Sequence, residues 1–453
     1  MIVVKFGGTS VGDADAIRRA AAIVRTRLDR KPIVVVSALA GTTNVLLAIA
    51  EHAVKGRLIV AVREVEGLRE RHLTAADDLL GSGAPADEVR GEISATCDEL
   101  ASLAEALSVL GHVTPRSQDA VAAIGEQLSP GLVTAAFAAC GLPVELVDAR
   151  RVMITDEQFT RATPKPDAIA RAGRETLLPL VEQGRVPVLG GFIGATEQGI
   201  TTTLGRGGSD YSASLIGAAL EVEAIEIWTD VDGMLTADPR VVPAARLLEQ
   251  VRFDEASELA TFGAKVLHPA TIAPAVGRGI PVHVYNSRRP DGKGTRITTD
   301  APRRPVTALA GRCGVAVVKV QSSRMLHAHG FLGRLFEIFA RHQVAVDVVA
   351  TSEVSVSLTV DGAARLDGLV VDLATLGDVS VERNRAILAV VGAGLGDHSA
   401  TMAHAIAALG DIPVRMVSLS ATGINLTIIV DDDRLEPAMR RLHAALLEPS
   451  AAM

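Results

Sequence analysis

Apolar runs alternate with amphipathic ones from the first residues of the chain. Ile2–Phe6 is a short apolar run of strand type, and Asp15–Leu28 repeats its apolar positions at helical spacing. Pro32 precedes Ile33–Val36, a continuous apolar strand that ends in Ser37-Ala38. Residues 60–112 read as charged, alanine-rich helices, broken by the loop Gly81-Ser82-Gly83-Ala84-Pro85. Further strands are expected at Val144–Val147, Val186–Leu189 and Ala224–Trp228. Continuous apolar strands between helices predict a parallel sheet covered on both faces, an α/β domain. Ligands of such sheets bind beyond the C-terminal strand ends. Lys5, Ser37, Gly190-Gly191 and Thr229-Asp230 follow those ends, so one shared site is expected.

Near residue 285 the pattern changes. Asn286–Gly294 and Ala301–Pro305 are polar, proline- and glycine-bearing loops, which place a domain boundary here. Beyond it lies an internal repeat. The first copy has strand Val315–Val320, helix Phe331–His342 and strands Val346–Val349 and Val354–Val360. The second has strand Ile387–Val391, helix His398–Leu409, strands Val414–Leu419 and Ile424–Val430, and a closing helix Arg434–Leu447. Each copy follows the ferredoxin-like order β-α-β-β-α-β, giving a small α+β module.

Composition narrows the function. The length of 453 residues fits two to three domains, and 48% hydrophobic with 22% charged residues is globular. A net charge of −8 and 3% aromatics argue against a nucleic-acid partner. Cys97, Cys140 and Cys313 lie far apart, so neither a metal pair nor a disulfide framework is expected. The chain opens on a strand and contains no signal-like or membrane-spanning run, so a soluble cytoplasmic protein is expected.

Five stretches carry candidate chemistry. In IVVKFGGTSV, Lys5 and the pair Gly7-Gly8 stand at the mouth of the first strand with Thr9 and Ser10. A tight turn explains the glycines, and so does a phosphate cradle, in which backbone N–H groups approach an anion beside a point charge. In TTTLGRGGSDYSA, glycines and hydroxyls precede a helix that begins near Asp210. Its N-terminus is an anion site, Arg206 can grip a carboxylate or phosphate bidentately, and Asp210 is suited to cap the helix. WTDVDGMLTADPR has Asp230, Asp232 and Asp238 without the spacing of a calcium loop, and reads equally as an Asp-Gly turn. In TFGAKVLHPA, Lys265 reads alone as a snorkelling surface residue, and Glu126 in AIGEQLS reads alone as part of a solvated helix face. The P-loop, the Rossmann glycine fingerprint and the protein-kinase motifs are absent from the sequence, so any nucleotide is held by another design.

Taken together and in this order, these stretches resemble aspartate kinase from end to end, and the repeat resembles its paired ACT domains. The stretch MLHAHGFLGRLFEIFARHQVAVDVVATSEVSVSLTVD resembles the lysine-sensitive, monofunctional branch. The resemblance implies an amino-acid-kinase (carbamate-kinase-like) sandwich over 1–295 and ACT regions over 305–385 and 386–453, interleaved or sequential. It implies transfer of the ATP γ-phosphoryl group to the β-carboxylate of L-aspartate, with Mg²⁺ carried chiefly by ATP oxygens.

By the same resemblance Lys5, Arg206 and Asp210 are catalytic, and Ser37, Thr43, Glu126 and Arg206 bind aspartate. Lys5, Gly7, Gly8, Thr9, Ser10, Thr229, Asp230, Arg240 and Lys265 bind ATP. Met325, Gly330, Phe331, Leu332, Val346, Asp347 and Ser352 form an effector pocket for lysine, with Asp347 on its ammonium. A homodimer or dimer of dimers through the ACT regions is implied. Two departures stand out: Leu235 and Ala328, where relatives carry tyrosine and serine. The first leaves position 235 outside the ATP set, and the second removes a hydroxyl donor from the effector pocket. Two rival readings are a superfamily kinase acting on glutamate, acetylglutamate, carbamate or UMP, and a non-catalytic amino-acid sensor. The repeat and FGAKVLHP oppose the first. Retained Lys5, Arg206 and Glu126 oppose the second, because buried charge without a task is costly.

Overall fold

The continuous apolar runs become parallel strands. In a computed structural model of the protein, which describes residues 1–205, 207–263, 269–326, 329–362 and 366–448, Ile2–Phe6 pairs in parallel with Pro32–Val36 on one side and with Ala224–Thr229 on the other. All five residues of each of the first two strands are buried, as strands covered on both faces must be. Val186–Gly190 and then Val144–Leu146 extend the sheet beyond Pro32–Val36, again in parallel. Val282–Asn286 adds in parallel beyond Ala224–Thr229, and Thr295–Thr298 pairs antiparallel with it. Helices Ala14–Arg25, Thr42–Val54, Leu58–Leu80, Ala84–Leu110 and Pro115–Ala139 bury their apolar stripes with one face of this sheet in a single core.

The chain divides into two units: Met1–Met234 with Val266–Asp300, and Leu235–Lys265 with Ala301–Met453. The segment 235–265, which the sequence boundary near 295 leaves in the first domain, thus goes with the C-terminal half. The reason is packing. Ala237 and Val242 join a core with Leu435, Met439 and Leu442, and Thr236 Oγ1 lies 2.9 Å from Nε2 of the fully buried His443.

The second unit is built on one antiparallel sheet in the order Val346–Thr351, Ser355–Asp361, Ala308–Gln321, Asp378–Val391, Asn425–Asp431, Met416–Leu419. Its two central strands are twice used. Ala316, Val318 and Val320 pack with helix Phe331–Arg341, whereas Leu309 packs with Ala386, Leu388 and Val390 and helix Leu435–Leu446. The register slips between Arg312 and Val317, where the strand passes from one core to the other. The second helix required by the ferredoxin-like order in the first copy is Asp367–Leu373, which buries Leu369 and Leu373. Among the described residues no helix is long and apolar enough to cross a membrane.

A costly group sits among the helices of the first unit. His72 is fully buried, its Nδ1 lies 2.8 Å from the Leu68 carbonyl, and its Nε2 has no partner among the described residues. Burial pushes its pKa below the ordinary 6.5. The unfolded chain therefore binds a proton near pH 6 that the folded chain refuses, and stability is lost as pH falls below about 6.5, with a slope of at most about 1.4 kcal/mol per pH unit. Denaturant midpoints at pH 7.5 and 5.5 are expected to differ less in His72→Leu than in the native chain. An equal difference in both proteins would show that His72 does not drive the acid sensitivity.

Candidate active site

Strands that run parallel finish on one edge, so the residues after them converge. A cavity of about 620 Å³ opens at that edge of the first unit, and its lining includes Lys5, Gly8, Ser37, Thr43, Glu126 and Asp210. Side chains alternate along Ile2–Phe6: Ile2, Val4 and Phe6 enter the apolar core, and Lys5 turns to the opposite face. There its Nζ lies 2.5 Å from Asp210 Oδ1. Asp210 belongs to the first turn of Gly208–Ala219. The cap position of that helix is Gly207, at φ 70°, and no side chain caps it, so the expected capping role of Asp210 gives way to a pair with lysine.

Glu126 is not on a solvated face. It is 4% exposed on helix Pro115–Ala139, with Oε1 accepting the Ala38 N–H at 3.1 Å and Oε2 without a partner among the described residues. Burial pushes its pKa up to about 8, against the opposing pull of the Ala38 N–H and of Lys5. The same helix is tied to the strand tip by Ser129, whose hydroxyl donates to the Ser37 carbonyl at 2.8 Å. Pro130 sits inside the helix and lacks the N–H that would close a turn on the Glu126 carbonyl. Gly190, the last residue of its strand, lies against that carbonyl: a Cβ there would be 2.4 Å from it.

The remaining expected residues divide. The Gly7 N–H donates to the Trp228 carbonyl at 3.0 Å, and a Cβ on Gly8 would stand 2.8 Å from the Ala38 carbonyl, so this turn requires glycine for close approach. Thr9 is exposed. Ser10 is buried, and its hydroxyl is spent on the Trp228 carbonyl and on Ser287 at 3.1 and 2.7 Å, so the structure gives it a role in the fold and leaves no free hydroxyl for a phosphate. Thr229 and Asp230 stand at their strand end, 3.3 Å apart through Thr229 Oγ1 and Asp230 Oδ1. Arg240 belongs to the second unit, where it pairs with Asp238 at 2.6 Å. Arg206 and Lys265 lie outside the described residues, as does Ala328.

Of the expected effector residues, Leu332 is exposed, Met325 and Val346 are half-buried, and Gly330 adopts φ 79°. Asp347 pairs with Arg312 at 2.5 Å, and Ser352 shares a hydrogen bond with Ser355 at 2.8 Å. Phe331 is 3% exposed and packs in the core formed with Leu335 and Phe339.

Sequence reasoning missed Asp119, Thr160, Phe192 and Thr203, which line the same cavity. Asp119 carries a signal that was there to find: it stands about two turns before Glu126 on one helix, which puts both acids on one face.

Known proteins share this architecture. The model of the amino acid kinase family matches residues 1–286, and that of the ACT domain matches residues 388–446. The chain is 37% identical to the lysine-sensitive aspartokinase 3 of Escherichia coli K12, covering 99% of both chains. It is 35% identical to a chloroplastic aspartokinase 3 of Arabidopsis thaliana, over 98% of this chain and 81% of that one. Among solved structures, E. coli aspartokinase III in complex with aspartate and ADP (R-state) matches with a TM-score of 0.86, over 99% of this chain and 100% of that one at 37% identity. The same enzyme in complex with lysine and aspartate (T-state) matches with a TM-score of 0.82, at the same identity and coverage.

The contact between Gly190 and Glu126 gives a test of this geometry. Gly190→Ala is expected to destabilise the protein by about 1–3 kcal/mol, because the helix backbone must move. Gly67 is exposed in helix Leu58–Leu80, with nothing near its Cβ position, and Gly67→Ala is expected to stabilise by about 0.5–1 kcal/mol. Thermal melting of both variants checks the opposite signs, and a neutral Gly190→Ala would contradict the close approach.

Proposed function

We infer the reaction from one premise, that this chain belongs to the aspartokinase family. It is an ATP-dependent kinase that transfers the γ-phosphoryl group to the β-carboxylate of L-aspartate. The product is 4-phospho-L-aspartate, on the way to lysine, threonine and methionine. The nucleotide enters as its Mg²⁺ complex, with the ion held chiefly by phosphate oxygens.

One observation of the cavity supports this reading above others: an acid with a free, buried oxygen lies beside a held cation. The reaction must bring a carboxylate against a polyphosphate, so positioning and charge neutralisation do most of the catalysis. Lys5 stabilises charge on the transferring group, and Asp210, 2.5 Å away, orients it. Aspartate also carries an ammonium, and a purely cationic site would repel it. The partnerless Oε2 of Glu126 is the group placed to accept that ammonium. Arg206 takes the α-carboxylate, and Ser37 and Thr43 donate to the substrate. The nucleotide is assigned to Gly7, Gly8, Thr9, Thr229, Asp230, Arg240 and Lys265 on the resemblance; Ser10 is left out, because its hydroxyl and its N–H are both engaged within the protein.

Feedback by lysine is part of the same proposal, with its site in the second unit. Asp347 would receive the effector's ammonium in exchange for, or beside, Arg312. Inhibition follows if lysine binds a low-activity state more tightly than the active one. Assembly as a homodimer or dimer of dimers through the ACT lobes is proposed with it.

Aspartate-dependent ADP release, measured with and without lysine, tests the reading; release with glutamate but not aspartate would reject it. Lys5→Ala is expected to lower kcat roughly 10³-fold or more while lysine binding persists. Below its pKa of about 8 Glu126 holds a proton and cannot pair with an ammonium, so kcat/KM for aspartate is expected to rise with pH and level off near 8. Glu126→Gln is expected to flatten that profile and to lower kcat/KM roughly 10- to 100-fold. A pH profile identical in the two proteins would remove Glu126 from the acceptor site.

A further inference from the structure

We propose that Asp119 is a positioning residue of this kinase, stapling the acceptor side of the cavity by holding Thr160 and Thr203 in place; this rests on the aspartokinase reading above. Asp119 is 1% exposed on helix Pro115–Ala139. Its Oδ2 accepts two backbone N–H groups, from Thr160 at 2.9 Å and from Thr203 at 3.0 Å. Its Oδ1 accepts the Thr203 hydroxyl at 2.6 Å. Thr160 and Thr203 come from separate segments, and both line the cavity. One carboxylate therefore ties the helix that carries Glu126 to two pieces of the opposite wall.

Both pieces need holding. Thr160 has φ 72°, a region that a β-branched residue keeps only when its surroundings impose it. After Thr203 the chain turns through Gly205 at φ 77° and Gly207 at φ 70° before the helix that carries Asp210. Glycines impose little of their own on a turn, so its geometry is set by its anchors. On the Thr203 side the anchors are Asp119, the Ala162 N–H donating to the Thr203 carbonyl at 2.8 Å, and the Leu204 N–H donating to Phe192 at 2.9 Å. Losing Asp119 leaves two backbone N–H groups without that acceptor, the buried one of Thr203 and the part-buried one of Thr160.

Asp119 and Glu126 share a helix and a cavity yet differ in what is left over. Glu126 keeps an unpartnered oxygen, whereas both oxygens of Asp119 are engaged by the protein itself. The influences on its carboxyl are burial, which pushes its pKa up, and these three bonds, which pull it down, with no cation among the described residues. A side chain whose bonds all run to the protein acts through the groups it holds. Asparagine can keep every bond: its Oδ1 accepts the two N–H groups, and its Nδ2 donates to Thr203 Oγ1, which then serves as acceptor.

Steady-state kinetics of the full chain, with ADP release followed while each substrate is varied, tests the staple. Asp119→Ala is expected to raise KM for aspartate roughly 10- to 100-fold and to leave KM for ATP within about twofold. Asp119→Asn is expected to recover most of that loss. Thr203→Val, which removes one bond, is expected to raise KM for aspartate about threefold, and it carries the test if the alanine variant does not fold. A native aspartate KM in Asp119→Ala or Thr203→Val overturns the proposal, as does a parallel rise in KM for ATP. Asp119→Asn as impaired as Asp119→Ala also overturns it, since the charge itself would then be what the site uses. A native chain without aspartate-dependent ADP release would instead defeat the underlying reading of the function.

Discussion

Everything at the cavity is arranged around a lysine that the fold has taken almost out of water. The side chain of Lys5 is 9% exposed and that of its partner Asp210 is 16% exposed. Removing such a pair from water costs several kcal/mol per ion before their attraction is counted, so the contact is poor evidence of stability and better evidence of a task. The sheet imposes the location. A residue one step from the end of a central parallel strand has neighbours on both sides, and its side chain leaves through one face only. The helix beginning at Gly208 lies on that face, and its first turn supplies the carboxylate. A cation held at one point by a fixed acid can meet an incoming anion with little rearrangement, which is the condition under which electrostatic catalysis is effective.

The same logic explains why small residues crowd the strand tips. Gly8 and Gly190 are packed so closely against the Ala38 and Glu126 carbonyls that a methyl group would collide with backbone. Helix Pro115–Ala139 approaches the sheet edge at this point, and the proline at position 130 frees a carbonyl at the place where Gly190 comes nearest. Local sequence choices, a proline where a helix seldom tolerates one and a glycine where a strand is weakened by it, thus bring an acid-bearing helix to the mouth of the sheet.

Much of this frame is legible in the chain because periodicity reports local structure directly. Ile2–Phe6, Ile33–Val36 and Ala224–Trp228 read as buried strands and are strands. What the pattern does not carry is which core an apolar residue joins. Ala237, inside the Asp-Gly stretch, and Val242, just after it, look like any loop apolars, yet they pack with the last helix. The central strands of the second unit read as half their true length, Val315–Val320 and Ile387–Val391, because their middles around Cys313-Gly314 and Glu382–Asn384 are exposed and polar. At the cavity the strand-end pattern points to Lys5 and Gly8, Glu126 and Asp210 come only through the resemblance, and Asp119 is passed over. Helix Pro115–Ala139 is buried around most of its girth at Val121–Glu126, so no amphipathic stripe marks Glu126 or Asp119 as inward-facing.

Those two acids differ in how far the protein itself satisfies them. Each is a carboxylate withdrawn from water, and each would be costly without compensation. At Asp119 the compensation is internal and complete, from two N–H groups and a hydroxyl. At Glu126 it is partial: one N–H serves one oxygen, and the other is left waiting, with its pKa pushed up to about 8. A carboxyl in that condition is held towards its neutral form, and a cation brought to its free oxygen would offset part of its burial cost. An acid satisfied by its own protein can hold a wall still, and an acid left unsatisfied can select a ligand. The two acids stand about two turns apart on one face of the helix, and both line one cavity.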